Sequence, residues 1–465
     1  MTTPVDASPG APPAAVPPTA ALAGLTAGLR FEDLPAEVVA KASALVLDFL
    51  GASVGGSGTP EAGVIAELVR SRGSAPQATV LGRDWRTSVV DAAYATGAAA
   101  DIFEHQDGYR FGGFHPSHTL PALFAVAEQQ QAGLADLLTA TVAAYEVANR
   151  IGRAAHPQAT QAGWFPTAAA FGAAAGCAKL LGLDATGIAD AVGATAFFAP
   201  AVLIESIFAG PSAKPAFAGQ LARAGVEGAL HAAAGLTGWR EVVEHPRGLV
   251  AALTGGEVDN VALIDEWTIL DVHQKRFAGC RHTHGAGQAA LELAIEHDLD
   301  PTRVREVDVE TYDIAMLLVD RGVGPDPTTV ACTLSLPYVV GAALVDREVS
   351  GAQYAADRIN DPAVLSLADR VRMRRADDLE ARYPEFTATR VTLTLDDGTT
   401  HTRQVDVPAG DSRAPLTREQ LVAKFDAYVV PRLGRPVAAQ VAGTVLEPRP
   451  GSRVTDLVRL LSTPS

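Results

Sequence analysis

Between Ala21 and Glu244 the sequence reads almost without interruption as helix. Helical periodicity runs through Val38–Leu50, Val89–Phe103, Pro121–Ala132, Leu134–Ile151, Thr167–Leu181, Gly187–Ala199 and Lys214–Leu236. Asp33-Leu34-Pro35 sets a capping carboxylate and an early proline before the first segment, and Asp184-Ala185-Thr186 caps another. Alanine and glycine dominate these segments, so the helix axes can approach closely. So much close-packed helix constrains this part of the chain to a large all-α domain.

The pattern changes near Trp267. Trp267–Val272 reads as a strand, Gly285–Glu296 as a helix, Val304–Tyr312 as an alternating strand and Ser335–Val345 as a helix. Arg390–Leu395, the turn Asp396-Asp397-Gly398 and Thr399–Val407 form a hairpin signal. Helical pattern returns in Thr417–Leu433 and Thr455–Leu461. A chain of 465 residues exceeds what one core usually supports. The expectation is therefore a mostly α protein: a large helical domain plus a smaller α+β lid domain. In detail, residues 1–20 are expected to form a Pro/Ala/Thr-rich disordered leader and 21–264 the first part of the helical domain. Residues 265–408 form the lid, and 409–465 a helical return packing on the helical domain. The leader lacks the basic start and apolar stretch of a signal peptide. The longest apolar run, Ala191–Ile204, is too short for a bilayer and holds Pro200, so it is expected to be a buried core helix.

The net charge of −16 and pI near 5.1 argue against nucleic acid and against anionic membranes as partners. A small-molecule substrate remains. If it bears a carboxylate, the protein must build a local basic pocket, for which Arg110, Lys214, Lys275, Arg276 and Arg281 are the candidates. Three cysteines without a CxxC pair suit a reduced, cytoplasmic compartment. No phosphate-binding glycine loop or dinucleotide fingerprint occurs.

Chemistry concentrates in two patches. Glu104–His118 holds two carboxylates, three imidazoles and Arg110, and His273–His284 holds three more imidazoles; together they carry six of the eleven histidines. Surface loops also collect polar residues. Two His-rich, glycine-punctuated segments far apart in sequence nevertheless suggest one site doing acid–base chemistry. His282 and His284 raise the question of a metal. Their spacing would put both rings on one face of a strand, but not ahead of a helix, and no third ligand cluster is evident, so no metal is expected. Cys280 beside Arg281 and His282 is a minor candidate nucleophile.

Several segments, in order, resemble the MmgE/PrpD family, which includes 2-methylcitrate dehydratase, cis-aconitate decarboxylase and an iminodisuccinate epimerase. They are Leu34–Val39 leading to Leu47–Gly51, Glu104–Gly108 with His115-Pro116-Ser117, Gly163–Thr167 running into Gly172–Ala175 and Lys179–Leu183, Ala213-Lys214-Pro215, and Lys275-Arg276-Phe277 through Thr283-His284. The resemblance implies a homodimer and a cofactor-free cleft between a helical domain and a lid. It places Glu104, His115, Lys214 and His284 in the catalytic positions. Phe165 stands where the family has a histidine, Gly108 where a decarboxylase-like member has threonine, and Gln106 interrupts the usual paired acids. Tyr312 is a loose candidate for a site tyrosine.

Each candidate also has an ordinary structural role available. Glu104 could face solvent; in a cleft its pKa would rise, as a proton shuttle needs. His115 could anchor a loop, with Pro116 restricting its backbone. Lys214, between apolar flanks, reads as enclosed, either as a carboxylate anchor or an acid. His284 opens a helix, where the dipole favours a neutral imidazole. Arg110, Phe165, Lys275, Arg281 and Tyr312 are the expected substrate contacts. The leading expectation is a cofactor-independent lyase, a dehydratase or decarboxylase acting by proton abstraction next to a carboxylate or carbonyl, on a divergent substrate of secondary metabolism. An isomerase or epimerase would use the same abstraction. A catalytically inactive binding protein would leave Lys214 and His284 idle.

Overall fold

The computed structural model describes residues 16–256 and 266–462. The expected leader lies outside the described residues as far as residue 15, and from Pro18 the chain is already helical, through Gly28. The protein is mostly α, with a smaller α+β part.

Before residue 256 the chain is a stack of helices built on alanine contacts. Leu134–Ala155 packs on Ala168–Leu180, and Ala216–Ala233 packs on Val89–Asp101, Ala168–Leu180 and Ala185–Thr195. The helix Ala36–Ser57 is apolar enough to span a bilayer, yet 72% of its most apolar window is buried in the protein, so it serves as a core helix.

After residue 266 a four-stranded sheet carries the fold. Val304–Thr311 lies between Val371–Arg375, to which it is parallel, and Thr389–Leu395, to which it is antiparallel. Thr389–Leu395 continues into Thr400–Val405 as the expected hairpin. Alternation places Val391, Leu393 and Leu395 on the buried face, where His284–Glu296 covers the sheet. The tail helix Arg418–Leu433 returns to lie on Ala36–Ser57, with Phe425 against Gly51.

Three local expectations fail. Asp33 does not cap the first segment: no side chain caps Ala36–Ser57, and the Asp33 carboxylate accepts from Arg30 Nε at 2.7 Å instead. Trp267–Val272 is not a strand: Thr268–Asp271 forms a 3-10 turn and only Val272–Gln274 is extended. Glu146 on the helix Leu134–Ala155 accepts a bond from Ile269 N at 2.9 Å, and Asn149 donates to Thr268 at 3.3 Å. Docking to that helix overrides the β-branched side chains. Ala191–Ile204 is likewise not one buried helix. The helix ends at Thr195, and Phe197 is 78% exposed. Phe198 N and Ala199 N turn back onto Thr195 O just before Pro200, which cannot continue a helix.

Candidate active site

The two histidine-rich patches meet as a two-stranded ribbon. Asp107–Tyr109 pairs antiparallel with Val272–Gln274, with Gly108 opposite His273. The ribbon closes one side of a cavity of ≈ 70 Å³ whose wall includes Glu104, His115, His156, Phe165, His273, Cys280, Arg281 and His282.

At one corner of the cavity every charge has a partner. Glu104 follows the helix Val89–Asp101 and takes a left-handed backbone, φ 48°, a strained conformation for a side chain other than glycine. Its carboxylate is clamped by the Lys214 ammonium on one oxygen and by Lys275 Nζ at 2.9 Å on the other. Lys275 also donates to Glu104 O at 2.7 Å, which helps hold the strained turn. Lys214 reaches Asp101 Oδ2 at 2.7 Å, and Asp101 Oδ1 accepts from His118 Nε2 at 3.0 Å and from Gln106 Nε2 at 2.5 Å. Burial alone would push the Glu104 carboxyl up; Lys214, Lys275 and His115 outweigh it and hold the group well below the ordinary range. Burial alone would likewise lower the Lys214 ammonium, but Asp101 and Glu104 raise it. The expected raised pKa of Glu104 is therefore corrected: among two lysines it is a fixed negative charge, not a proton shuttle. Lys214 is correspondingly spent on carboxylates of the protein.

His115 joins this corner to the cavity. Its Nδ1 lies 2.6 Å from Asp107 O and, since a carbonyl only accepts, carries a proton. Its Nε2 lies 3.1 Å from Glu104 Oε2. Asp107 holds the loop, accepting from Ser117 N at 3.0 Å and from Tyr145 Oη at 2.7 Å. Lys424 of the tail helix supports it from behind, pairing with Asp48 at 2.5 Å and donating to His105 O and Lys275 O.

The rest of the wall is different. Both ring nitrogens of His156 and of His273, and one guanidinium nitrogen of Arg281, are buried without a partner among the described residues. Burial and the Arg281 charge lower His156 to about 4 and His282 to about 3, and hold His273 well below its ordinary value. These rings are neutral near pH 7. His282 Nδ1 lies 2.7 Å from the hydroxyl of Tyr312, whose ring stacks on Tyr383 at 4.8 Å. A buried phenol without another acceptor donates here, which leaves the His282 proton on Nε2. Burial pushes the Cys280 thiol up to about 11, so it is not a thiolate nucleophile. Among the described residues no group of three His, Cys, Asp or Glu side chains is arranged to hold a metal.

Several expected contacts lie elsewhere. His284 opens its helix as expected, but its ring turns back to Gly279 O at 3.3 Å and against Phe277, behind the wall. Arg110 points away, bonding Glu385 O and lying 4.3 Å over Phe111. Tyr312 and Lys275 orient His282 and Glu104 rather than facing the cavity. Phe165 does face it, edge-on to Phe217. Sequence reasoning missed Asp101 and His156, and marked His273 only as part of its patch. Asp101 had a signal, three residues before Glu104 at a helix end. His156 lies outside both patches and had none.

The N-terminal domain model of MmgE/PrpD matches residues 20–261, and its C-terminal domain model matches residues 277–447. The chain belongs to the MmgE/PrpD family. Its relatives include cis-aconitate decarboxylase of Mus musculus, 26% identical over 96% of this chain and 94% of that protein. The Homo sapiens enzyme of the same name is 28% identical over 86% and 85% of the two chains, and that of Aspergillus terreus is 24% identical over 96% of each.

Proposed function

We propose that this MmgE/PrpD protein is a cofactor-independent lyase of the dehydratase or decarboxylase type, working by proton transfer at a carbon next to a carboxylate or carbonyl, and acting as a homodimer. The observation that carries the reading is His115 Nε2 lying 3.1 Å from the Glu104 carboxylate, on a cavity wall shared with the neutral His273 imidazole. An acid and a base of the same side-chain type are thereby set apart by their surroundings. His273, with both nitrogens unpartnered, takes the carbon-bound proton. His282 Nε2–H and Arg281 face the negative charge that develops on the neighbouring oxygen. In a dehydration the carbon–oxygen bond then breaks as the double bond forms, and His115 delivers its proton to the departing hydroxide. In a decarboxylation His273 removes no proton: the bond to the carboxylate breaks, CO2 leaves, and the electron pair left on carbon, delocalised onto the oxygen facing Arg281, takes the proton of His115. Relatives bearing the name cis-aconitate decarboxylase support the lyase class.

Phe165 supports a divergent substrate. An apolar ring at that point cannot repay the desolvation of a further carboxylate. The test is incubation in D2O with candidate acids, read by mass spectrometry. The expected result is deuterium uptake into substrate or product together with a product lighter by water or CO2. Wild-type protein should be nearly inactive on 2-methylcitrate and cis-aconitate, with Phe165→His recovering at most a trace. Efficient turnover of either acid overturns the divergent substrate. Exchange at unchanged product mass replaces the lyase with an isomerase or epimerase.

A further inference from the structure

Donors without partners share the cavity wall with apolar side chains. Phe165, Phe208, Phe217 and Ile207 supply apolar lining. On the same wall a guanidinium nitrogen of Arg281 and both ring nitrogens of His156 are buried with no partner among the described residues. The two groups are close enough for the Arg281 charge to act on the imidazole. A buried polar group left unpaired costs about 1–3 kcal/mol, so groups of this kind mark a place where something else completes the bonding.

The backbone makes room for the arrangement. Gly113 has φ +62°, and a Cβ there would lie 2.6 Å from His156 Nδ1. At Gly108 a Cβ would lie 2.5 Å from the His273 ring. Both imidazoles can stand where they do because these two residues carry no side chain. The charges on the wall then limit what can bind. Glu104 is already neutralised by Lys214 and Lys275, and both lysines are committed to it. Among the described wall residues Arg281 is the cation without an ion-pair partner. One guanidinium with one imidazole N–H matches the two oxygens of one carboxylate. A second or third carboxylate would fall against phenylalanine and isoleucine.

We infer that the substrate carries a single carboxylate, seated on Arg281 and His156, and an apolar body lying against Phe165, Phe208 and Phe217. The inference names the substrate class for the lyase read above, and rests on that reading only for the word substrate, since binding can be measured without turnover.

The experiment is isothermal titration calorimetry of the full chain with hexanoate, acetate, 1-hexanol and cis-aconitate. Hexanoate is expected to saturate the protein and to bind at least about tenfold more tightly than acetate or cis-aconitate, because each buried methylene adds a few-fold. Arg281→Gln is expected to weaken hexanoate about tenfold or more while leaving 1-hexanol within about twofold. His156→Phe should weaken hexanoate in the same selective way. Overturning results are hexanoate no tighter than acetate, cis-aconitate as tight as hexanoate, no saturable hexanoate binding, or an Arg281→Gln protein that binds hexanoate unchanged. If a variant does not melt cooperatively, the wild-type ligand series alone decides. A protein that binds hexanoate in this manner yet never exchanges or transforms a carbon acid keeps this inference and loses the lyase.

Discussion

Two parts of one cavity handle buried polar groups in opposite ways. At the Glu104 corner, two carboxylates, two ammonium groups and an imidazole satisfy one another within hydrogen-bonding distance. Elsewhere on the wall, both ring nitrogens of His156 and of His273 and one guanidinium nitrogen of Arg281 are buried with no partner among the described residues. The first arrangement fixes a field within the protein. The second keeps bonding capacity in reserve and has its full effect only with a ligand present. A histidine or lysine in a motif therefore has two fates, and the chain segments packed around it decide which.

The contrast can be broken most directly at Lys214. Lys214→Ala leaves Glu104 and Asp101 buried without their shared cation, so unfolding free energy should fall by about 3–5 kcal/mol and turnover by about 100-fold or more. Denaturant titration and turnover of the acid identified by exchange check this. A variant as stable as the wild type would show that the corner is not the paired structure described.

On the reserve side the signs should separate. His273→Leu is expected to lower turnover by about 100-fold while leaving stability within about 1 kcal/mol or raising it, because it removes an unpaired polar group. His115→Gln should lose a similar factor in turnover. His284→Gln, with its ring behind the wall, should stay within about tenfold of wild type. If His284→Gln is as damaged as His115→Gln, the catalytic imidazole has been assigned to the wrong side of the helix start.

A third difference appears in acid. A histidine whose folded pKa is depressed binds its proton more readily once unfolded, so its contribution is intact above the ordinary value of 6.5 and is lost as pH falls toward the folded value. His156, lowered to about 4, and His282, lowered to about 3, act in this window together with His105, His273 and His284. Thermal stability should therefore begin to fall just below pH 6.5, before the carboxylates titrate. Each buried imidazole contributes at most about 1.4 kcal/mol per pH unit. His156→Phe should flatten the slope. Glu104, depressed in the folded protein, adds its loss only as pH falls below the ordinary carboxylate range, near 4.5. Melting curves from pH 8 to 4 show both windows. The smallest expected effect is that of EDTA, which should leave turnover unchanged; loss of activity with rescue by one metal would replace the proton-relay account.

The amino-acid sequence by itself determined the helical mass before residue 256, the hairpin around Asp397-Gly398 and the concentration of chemistry in two patches. These follow from periodicity, caps and turns, which act over a few residues. It also marked Glu104, His115 and Phe165, which face the cavity. Tertiary structure decided the rest. Lys214 and Lys275 became counter-ions because Asp101 and Glu104 reach them across the fold. Of the two close-spaced histidines, His282 faces the cavity and His284 does not, because the helix begins between them and the Gly279 carbonyl captures the second ring. Thr268 turned rather than extended because Glu146 offered its neighbour's amide a better partner. His156 took a place on the cavity wall that no local pattern marks. Charge pairing and burial depend on distances between residues far apart in the chain, and those distances exist only once the helices and the sheet have packed.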